Sequence, residues 1–239
     1  MRSRGPTLRC THLTVPKEAA HPDDIEDACA FDEAAGFVAV VDGASMGYDP
    51  VAWSRILAAA ALDVFHASGG ADVKAVAGEA RRRWEQRPAP NLPPGIRETP
   101  TGATIGLVRM EPSRGGLVLE GQLVGDVNLL LCSPGREPRV PADLSRAGHY
   151  GGQPETLNTH PRAKITVRHL EPTPLRRGDA IFLFTDGFGK WLLERAGCRP
   201  MLDHIRQIDA ASFEVLVRNE QQAGRMDVDD VTVVRCEVA

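Results

Sequence analysis

Short apolar stretches alternate with polar breaks along this chain, and most of these stretches have the length and composition of buried strands. They are rich in Val, Leu, Ile and Phe, and most of them end at Gly, Pro or Asp. Apolar runs of this length, bounded by turn residues, are typical of strands in a packed sheet. The pattern predicts strands over residues 36–43, 103–110, 117–124, 128–132, 165–170, 180–185 and 231–238, and the strand at 128–132 is expected to continue the sheet of the strand at 117–124.

Apolar residues at helical spacing fall into two groups, one after the first buried strand and one before the last. Asp49-Pro50 gives a helix start because an aspartate N-cap is followed by proline, and Ser68-Gly69-Gly70 gives its end. Further helices are predicted over residues 71–86, 190–195, 200–208 and 213–222. More strands than helices, with the helices grouped, favours an α+β fold of two stacked sheets flanked by helices.

The chain of 239 residues is long enough for one large domain. Residues 1–20 are predicted to form an N-terminal arm or edge strand, and residues 21–239 a single domain. Between about 133 and 164 the chain is polar and rich in glycine and proline, which predicts a flap-like surface segment of the kind that borders a site.

Composition excludes several classes of protein. A net charge of −4 and an aromatic content of 5% predict no nucleic-acid partner. Five scattered cysteines without C-x-x-C spacing argue against a zinc site or a disulfide framework. The first 30 residues lack the apolar core of a signal peptide, and no run reaches the roughly 18 apolar residues of a membrane span. We therefore expect a cytoplasmic protein without a membrane partner.

Aspartates at the ends of the predicted strands are the candidate chemistry. Asp42, Asp126 and Asp186 follow three of the runs, and Asp229-Asp230 precedes the last. Carboxylates gathered at one point repel each other unless a cation lies between them. Oxygen ligands without histidine or cysteine suit Mg²⁺ or Mn²⁺, and two such ions about 3.5–4 Å apart can activate a water for phosphoryl transfer.

Six short motifs then occur in a specific order, although each alone is common. They are Glu26-Asp27-Ala28, Val41-Asp42-Gly43, Thr101-Gly102-Ala103-Thr104, Val124-Gly125-Asp126, Thr185-Asp186-Gly187 and Asp229-Asp230-Val231-Thr232. Their order, spacing and strand context resemble the metal-dependent Ser/Thr protein phosphatases, the type 2C or PPM family, in a compact bacterial-like form. The resemblance covers roughly residues 20–238. It implies a β-sandwich of two antiparallel sheets with helices on both outer faces.

The resemblance also implies a metal site with two Mn²⁺ or Mg²⁺ ions. Asp42 is the carboxylate that would bridge the two ions, and the Gly43 carbonyl would be a ligand beside it. Asp186 and Asp229 would complete the direct ligands. Asp42 and Asp186 are therefore the candidate catalytic residues, acting on a water held between the ions.

Other positions are implied less directly. Glu26 and Asp27 would hold metal-bound waters, and Asp126 would join Asp186 at a third ion. Many family members carry an arginine four residues before the Glu-Asp pair to bind the substrate phosphate, but this chain has Pro22 there. The phosphate-binding residue is therefore unknown from the sequence.

The implied function is hydrolysis of phosphoserine or phosphothreonine in a protein, with the phosphoprotein and its cognate kinase as partners in signalling and the enzyme as a monomer. A rival from another class is a catalytically silent binding module with the same fold, which Pro22 favours. A phosphatase of small metabolites is a third alternative. The protein phosphatase would turn over phosphopeptides with metal, and the silent module would bind metal without turnover. The metabolite phosphatase would turn over sugar phosphates and nucleotides.

Several of these features could also have a purely structural explanation. Each Asp-Gly pair could be a turn, Glu26-Asp27 a solvated acidic loop, and Asp126 the end of a hairpin strand. Arginines 81–83 could form a solvated helix face or a docking patch. Residues 226–230 lack the glycine and glutamate of a calcium loop, and residues 187–190 lack the spacing of a phosphate-binding loop. No cysteine begins a C-x₅-R motif, so a metal-activated water is the nucleophile to expect.

Overall fold

Ten strands lie in the part of the chain that the computed structural model describes, residues 7–45, 47–88, 99–114, 116–140, 154–160, 165–193 and 198–239. Their bounds are β1 Leu8–Val15, β2 Ala28–Asp32, β3 Phe37–Gly43, β4 Gly102–Ser113, β5 Gly116–Val124, β6 Asn128–Cys132, β7 Leu157–Asn158, β8 Arg168–Leu175, β9 Ala180–Phe184 and β10 Val231–Val238. All pairings between these strands are antiparallel.

The strands form two sheets. The first has the order β1-β10-β9-β6, so the first and last strands of the described chain are neighbours. The second has the order β2-β3-β4-β5-β8, and β7 adds a short pairing to β4. The segment 1–20, predicted as an arm or edge strand, contains β1 at the edge of the first sheet.

Five α-helices are described, and they cover the outer faces of the sheets. Their bounds are α1 Pro50–Ser68, α2 Val73–Glu85, α3 Asp186–Leu193, α4 Arg199–Ile205 and α5 Ala210–Gln222. Helix α1 begins and ends as the sequence predicts. The Asp49 side chain accepts a hydrogen bond from the Ala52 amide at 3.1 Å, and Gly69 ends the helix with φ of 69°.

The core has three layers because the buried strands carry apolar side chains on both faces. In β3, Val38 and Val40 pack between the sheets with residues of the first sheet such as Leu183. Phe37 and Val41 alternate with them and pack under α1 and α2. A third cluster packs α3, α4 and α5 against the outer face of the first sheet. This confirms the predicted α+β sandwich of two antiparallel sheets with helices on both faces.

Three local predictions are wrong. Strand β2 was not predicted, because its five residues are all half-buried and show no alternation. Strand β6 was expected to continue the sheet of β5, but the chain crosses to the other sheet between Gly125, where φ is 81°, and Asn128. Helix α3 begins at Asp186 rather than at Lys190. Of the predicted surface segment over 133–164, residues 141–153 and 161–164 lie outside the described residues. The described part is not all surface, because β7 pairs with β4 and Leu157 is buried.

In the described residues, no helix is both long enough and apolar enough to cross a membrane.

Candidate metal centre

A cavity of about 260 Å³ opens at the end of the sandwich where β3, β5 and β9 finish and β10 begins. It brings together four of the aspartates predicted as metal ligands. Its lining consists of Asp42, Gly43, Ala44, Ser45, Thr104, Asp126, Pro154, Asp186, Lys190, Asp227 and Asp229. We refer to it as the aspartate pocket.

Each aspartate is held by a different element of the fold. Asp42 lies near the end of β3, in register with Thr104 of β4. Asp126 follows β5, and Asp229 precedes β10. Asp186 is the first residue of α3, where the positive end of the helix dipole favours a carboxylate. Residues more than 180 positions apart in the sequence therefore face one cavity.

The glycines after Asp42 and Asp186 are required for a reason that the sequence did not predict. We expected Asp-Gly to allow a sharp turn, but neither Gly43 nor Gly187 has a positive φ. A Cβ on Gly43 would lie 2.7 Å from the Glu26 carbonyl oxygen, and a Cβ on Gly187 would lie 2.5 Å from that of Asp230. The two glycines thus allow backbone segments to approach closely behind the pocket.

Burial and the neighbouring carboxylates disfavour the ionised form of Asp42. Burial raises the pKa of Asp42 well above its usual range, and the nearby charges of Asp27, Asp186 and Asp126 raise it further. Its carboxyl, when protonated, hydrogen-bonds to Asp186. Burial is also the first cause that raises the pKa of Asp186, followed by the charge of Asp126.

The other two aspartates of the pocket have the same character. Burial followed by the charge of Asp186 raises the pKa of Asp229 to about 6. Burial raises the pKa of Asp126, whose Oδ1 atom is buried and has no hydrogen-bond partner. The Thr104 hydroxyl, which lines the same pocket, faces this carboxyl and partly offsets the rise in its pKa. Buried oxygens without partners are what a bound cation or its waters would satisfy.

Glu26 and Asp27 lie beside and behind the pocket rather than in its lining. Asp27 is buried, accepts a hydrogen bond from the Thr185 hydroxyl at 2.9 Å, and has a pKa raised by burial and by the Asp230 charge. Glu26 pairs with Lys17 at 3.0 Å and accepts a hydrogen bond from Ser45, which does line the pocket. Their part in holding metal-bound waters stays a prediction.

Asp230 has a supporting position that the sequence did not reveal. Its carboxylate is buried and accepts the backbone N–H groups of Lys17 at 2.6 Å and of Glu26 at 2.8 Å. This bidentate contact fixes the chain after β1 and the Glu26-Asp27 segment against the start of β10. The adjacent Asp229 is left to face the pocket.

Two lysines near the aspartates were also missed. Lys190 lines the pocket and forms an ion pair with Asp227, while Lys17 pairs with Glu26 on the neighbouring side. The available signal for Lys190 was its position four residues after Asp186 on a helix, which places the two side chains on one face. Pro22, the position of the missing arginine, begins a short 3₁₀ turn and is not in the pocket lining.

The donor chemistry of the pocket fits Mn²⁺ or Mg²⁺, since the acidic ligands offer only hard oxygen atoms. Among the described residues, no three acidic, histidine or cysteine side chains already stand at metal-ligand spacing. The spacing is instead that of carboxyl groups sharing protons, as the contact between Asp42 and Asp186 shows. The unpartnered Asp126 oxygen and the raised pKa values still indicate a site whose repulsion a dication would offset.

A larger groove of about 590 Å³ lies elsewhere, between the turn after α1 and strands β5 and β8. Its central Arg109 is already paired with Glu111 and Glu120 at 2.6 Å each. The groove therefore offers an arginine that is already paired, and not the set of aspartates that meet in the aspartate pocket.

Comparison with solved structures gives full-length matches. The photosystem II phosphatase PBCP aligns with a TM-score of 0.67 and 18% identity over 97% of this chain and 99% of that one. The catalytic domain of the serine/threonine phosphatase PstP, solved with two manganese ions, aligns at 0.63 and 18% over 98% and 99%. RsbX in complex with magnesium aligns at 0.54 and 16% over 99% and 98%.

The protein has the type 2C phosphatase fold. No family model and no curated protein sequence matches the chain, so the likeness is carried by structure. The type 2C fold covers almost the whole chain, and the aspartate pocket lies at one end of its sandwich.

Proposed function

We propose that this protein is a metal-dependent phosphatase that hydrolyses phosphoserine and phosphothreonine in proteins. The observation that carries the proposal is the meeting of Asp42, Asp126, Asp186 and Asp229, from four separate segments, in one pocket of a type 2C fold. An acidic pocket alone would repel a phosphate ester. The same carboxylates become useful to such a substrate once they hold divalent cations.

Asp42, Asp186, Asp229 and the Gly43 carbonyl would hold two ions, and Asp126 with Asp186 would hold a third. The two manganese ions of PstP support this number of principal ions. When bound, Mn²⁺ or Mg²⁺ supplies a water of lowered pKa as nucleophile and offsets charge on the phosphoryl oxygens. Direct hydrolysis would break the bond between phosphorus and the seryl or threonyl oxygen, and would release inorganic phosphate and the free hydroxyl without a phosphoenzyme.

The residues of the chain itself position and hold these groups. Strand β3 aims Asp42, and the start of α3 aims Asp186, while the Thr185–Asp27 hydrogen bond fixes the junction between β9 and α3. Glu26 and Asp27 would hold waters at the inner side of the site. Because the ligands must be ionised, protons compete with the metal and activity should fall as the pH is lowered.

The substrate would be a phosphorylated protein, and the partner a Ser/Thr kinase that the enzyme opposes in signalling. We propose a monomer acting in the cytoplasm. Faster turnover of sugar phosphates or nucleotides than of phosphopeptides would favour the metabolite alternative, so a panel of these compounds belongs beside the phosphopeptides.

The proposal is tested by hydrolysis of a phosphothreonine peptide with Mn²⁺, with a chelator, and with Asp186→Asn. Loss of a ligand that stabilises transition-state charge should lower the rate at least about a hundredfold. The matched control is Asp203→Asn, an exposed aspartate paired with Arg199 far from the pocket lining, which should keep the wild-type rate. Turnover that persists in Asp186→Asn would refute the site.

The second candidate is a silent binding module with this fold. It is favoured by Pro22 at the position of the phosphate arginine and by the absence of three preassembled ligands among the described residues. Calorimetry separates the two functions. Mn²⁺ binding without turnover of any phosphopeptide would support the module.

A further inference from the structure

A single cation stands among the acidic side chains that line the aspartate pocket in the described chain. Lys190 lies one helical turn after Asp186 on α3, and its charge lowers the pKa of that aspartate. The residues around it on the helix, Phe188, Gly189 and Trp191, are buried in the core. Asp186 and Lys190 therefore form the polar side of α3 that faces the cavity.

The lysine is held at the mouth of the pocket by a fixed partner. Its ammonium pairs with Asp227, which precedes β10. The Gln221 side chain donates hydrogen bonds to the carbonyl oxygens of Asp227 and Asp229, at 3.3 and 3.2 Å, and so anchors this turn to α5. The Lys190 side chain is 41% exposed and that of Asp227 is 65% exposed, so the ion pair can reach an incoming ligand.

The charge of the pocket explains why this lysine matters. Its lining carries five aspartates, and two divalent cations would offset four of them. Lys190 offsets the fifth. A phosphate monoester brings further negative charge, and an exposed ion pair is weak enough to exchange one anionic partner for a stronger one.

We propose that Lys190 binds the substrate phosphate in this protein, in place of the arginine that Pro22 does not provide, with Asp227 holding the lysine ready. The ligand class is a phosphate monoester dianion, or inorganic phosphate as product. This inference rests on the proposed phosphatase function and supplies its missing phosphate-binding residue.

Two other cations act on these aspartates, Arg168 and Lys17. Arg168 donates hydrogen bonds to the carbonyl oxygens of Gly125 and Val127 and does not line the aspartate pocket. The surroundings of Lys17 make it a weaker candidate as well. Its ammonium lies 3.0 Å from Glu26, and it lines a separate cavity with Glu26 and Asp230. It does not line the aspartate pocket. A phosphate bound there would be removed from Asp42 and Asp186.

The experiment measures phosphate binding and turnover separately, on the full chain loaded with Mg²⁺. Inorganic phosphate is titrated calorimetrically, and KM and kcat are measured with a phosphothreonine peptide. The variants are Lys190→Gln, Lys190→Arg and Lys17→Gln. Lys74→Gln, on the exposed face of α2, is the matched control. Mg²⁺ affinity is measured for each.

Lys190→Gln should weaken phosphate binding and raise KM by about tenfold to a hundredfold, the effect of losing a charge-assisted contact. Lys190→Arg should recover most of the affinity, and Lys17→Gln and Lys74→Gln should bind as the wild type does. Mg²⁺ should bind Lys190→Gln as tightly as, or more tightly than, the wild type, because a neighbouring positive charge is removed.

The proposal would be overturned by unchanged phosphate affinity or weakened Mg²⁺ binding in Lys190→Gln. It would also be overturned if only Lys17→Gln lost phosphate binding, or if the wild type bound no phosphate. The experiment distinguishes failure of this proposal from failure of the proposed function. Lysine-dependent phosphate binding without turnover would refute the phosphatase function alone. Turnover with an unchanged KM in Lys190→Gln would refute the role of the lysine alone.

Discussion

At the scale of single residues, Asp230 shows how a carboxylate can support the aspartate pocket without facing it. Both of its oxygens accept backbone N–H groups, from Lys17 and from Glu26. An asparagine could accept only one of these bonds and would turn its own N–H₂ group toward the other donor. The choice of aspartate is therefore explained by the two amides that it caps.

We expect Asp230→Asn to lower the free energy of unfolding by about 2 kcal/mol, since a buried amide loses a charged acceptor. The substitution should also weaken Mn²⁺ binding, because the residue next to Asp229 would lose a hydrogen bond that holds it to the segments of Lys17 and Glu26. Urea unfolding and calorimetry measure both effects. Asp203→Asn, which weakens one half-exposed ion pair outside the pocket, should change stability by less than about 1 kcal/mol. An Asp230→Asn protein with wild-type stability would show that the tie is dispensable.

Single-residue roles were predictable only in part. Asp42, Asp126, Asp186 and Asp229 could be chosen from the sequence because each stands at the end of an apolar run. Lys190 could not be chosen in this way, since the sequence offers only its distance from Asp186. The cavity that places Lys190 beside the aspartates is formed by tertiary structure.

At the scale of elements, the site depends on junctions where two backbones nearly touch. The start of α3 passes so close to Asp230 that position 187 has no room for a side chain. Gly78, by contrast, lies exposed within α2, and a Cβ there would meet nothing within 4 Å. The two glycines form a matched pair for testing what close approach contributes.

Gly187→Ala should lower the free energy of unfolding by about 1–3 kcal/mol, because its Cβ meets a backbone oxygen that cannot move aside as a side-chain tip would. Metal affinity should fall with it, since Asp186 and Asp229 flank the contact. Gly78→Ala should raise stability by about 0.5–1 kcal/mol through helix propensity. Thermal unfolding and Mn²⁺ titration of both variants give the comparison. Equal behaviour of the two variants would argue against the close-approach explanation.

Elements with strong local signals were predictable, and elements defined by their partners were not. Helix α1 carries its own N-cap and C-terminal glycine, and β3 is a continuous apolar run. Strand β2 has no such pattern, and β6 looks the same whichever sheet it joins. Sheet membership depends on packing between distant segments, so the local pattern around Gly125 could not show that the chain changes sheets there.

At the scale of the whole molecule, the pocket concentrates carboxyl groups whose pKa values are raised in the folded state, that of Asp229 to about 6. A raised pKa means that the folded state binds the proton more tightly than the unfolded state does. The stability that these groups contribute is therefore complete below the unfolded value of about 4 and is lost as the pH rises toward and beyond 6.

We expect the metal-free protein to lose about 5 °C or more of thermal stability, relative to Asp42→Asn, between pH 5 and pH 8. Taking the difference from the variant removes contributions common to both proteins, such as that of His12, whose lowered pKa acts in the opposite direction. Saturating Mn²⁺ should abolish the loss in the wild type. A difference that stays constant with pH would contradict the repulsion between the carboxylates.

The pairing of β1 with β10 has a consequence for the order in which the molecule is made. The Thr14 and Thr232 hydroxyls that meet across these strands, at 2.8 Å, are 218 positions apart in the chain. Since β10 also separates β1 from β9, the first sheet cannot close until its last strand has been synthesised. Such non-local pairing slows folding. A nascent chain that has not yet reached β10 therefore lacks Asp229 and its tie through Asp230, and the pocket forms only after β10 has been made.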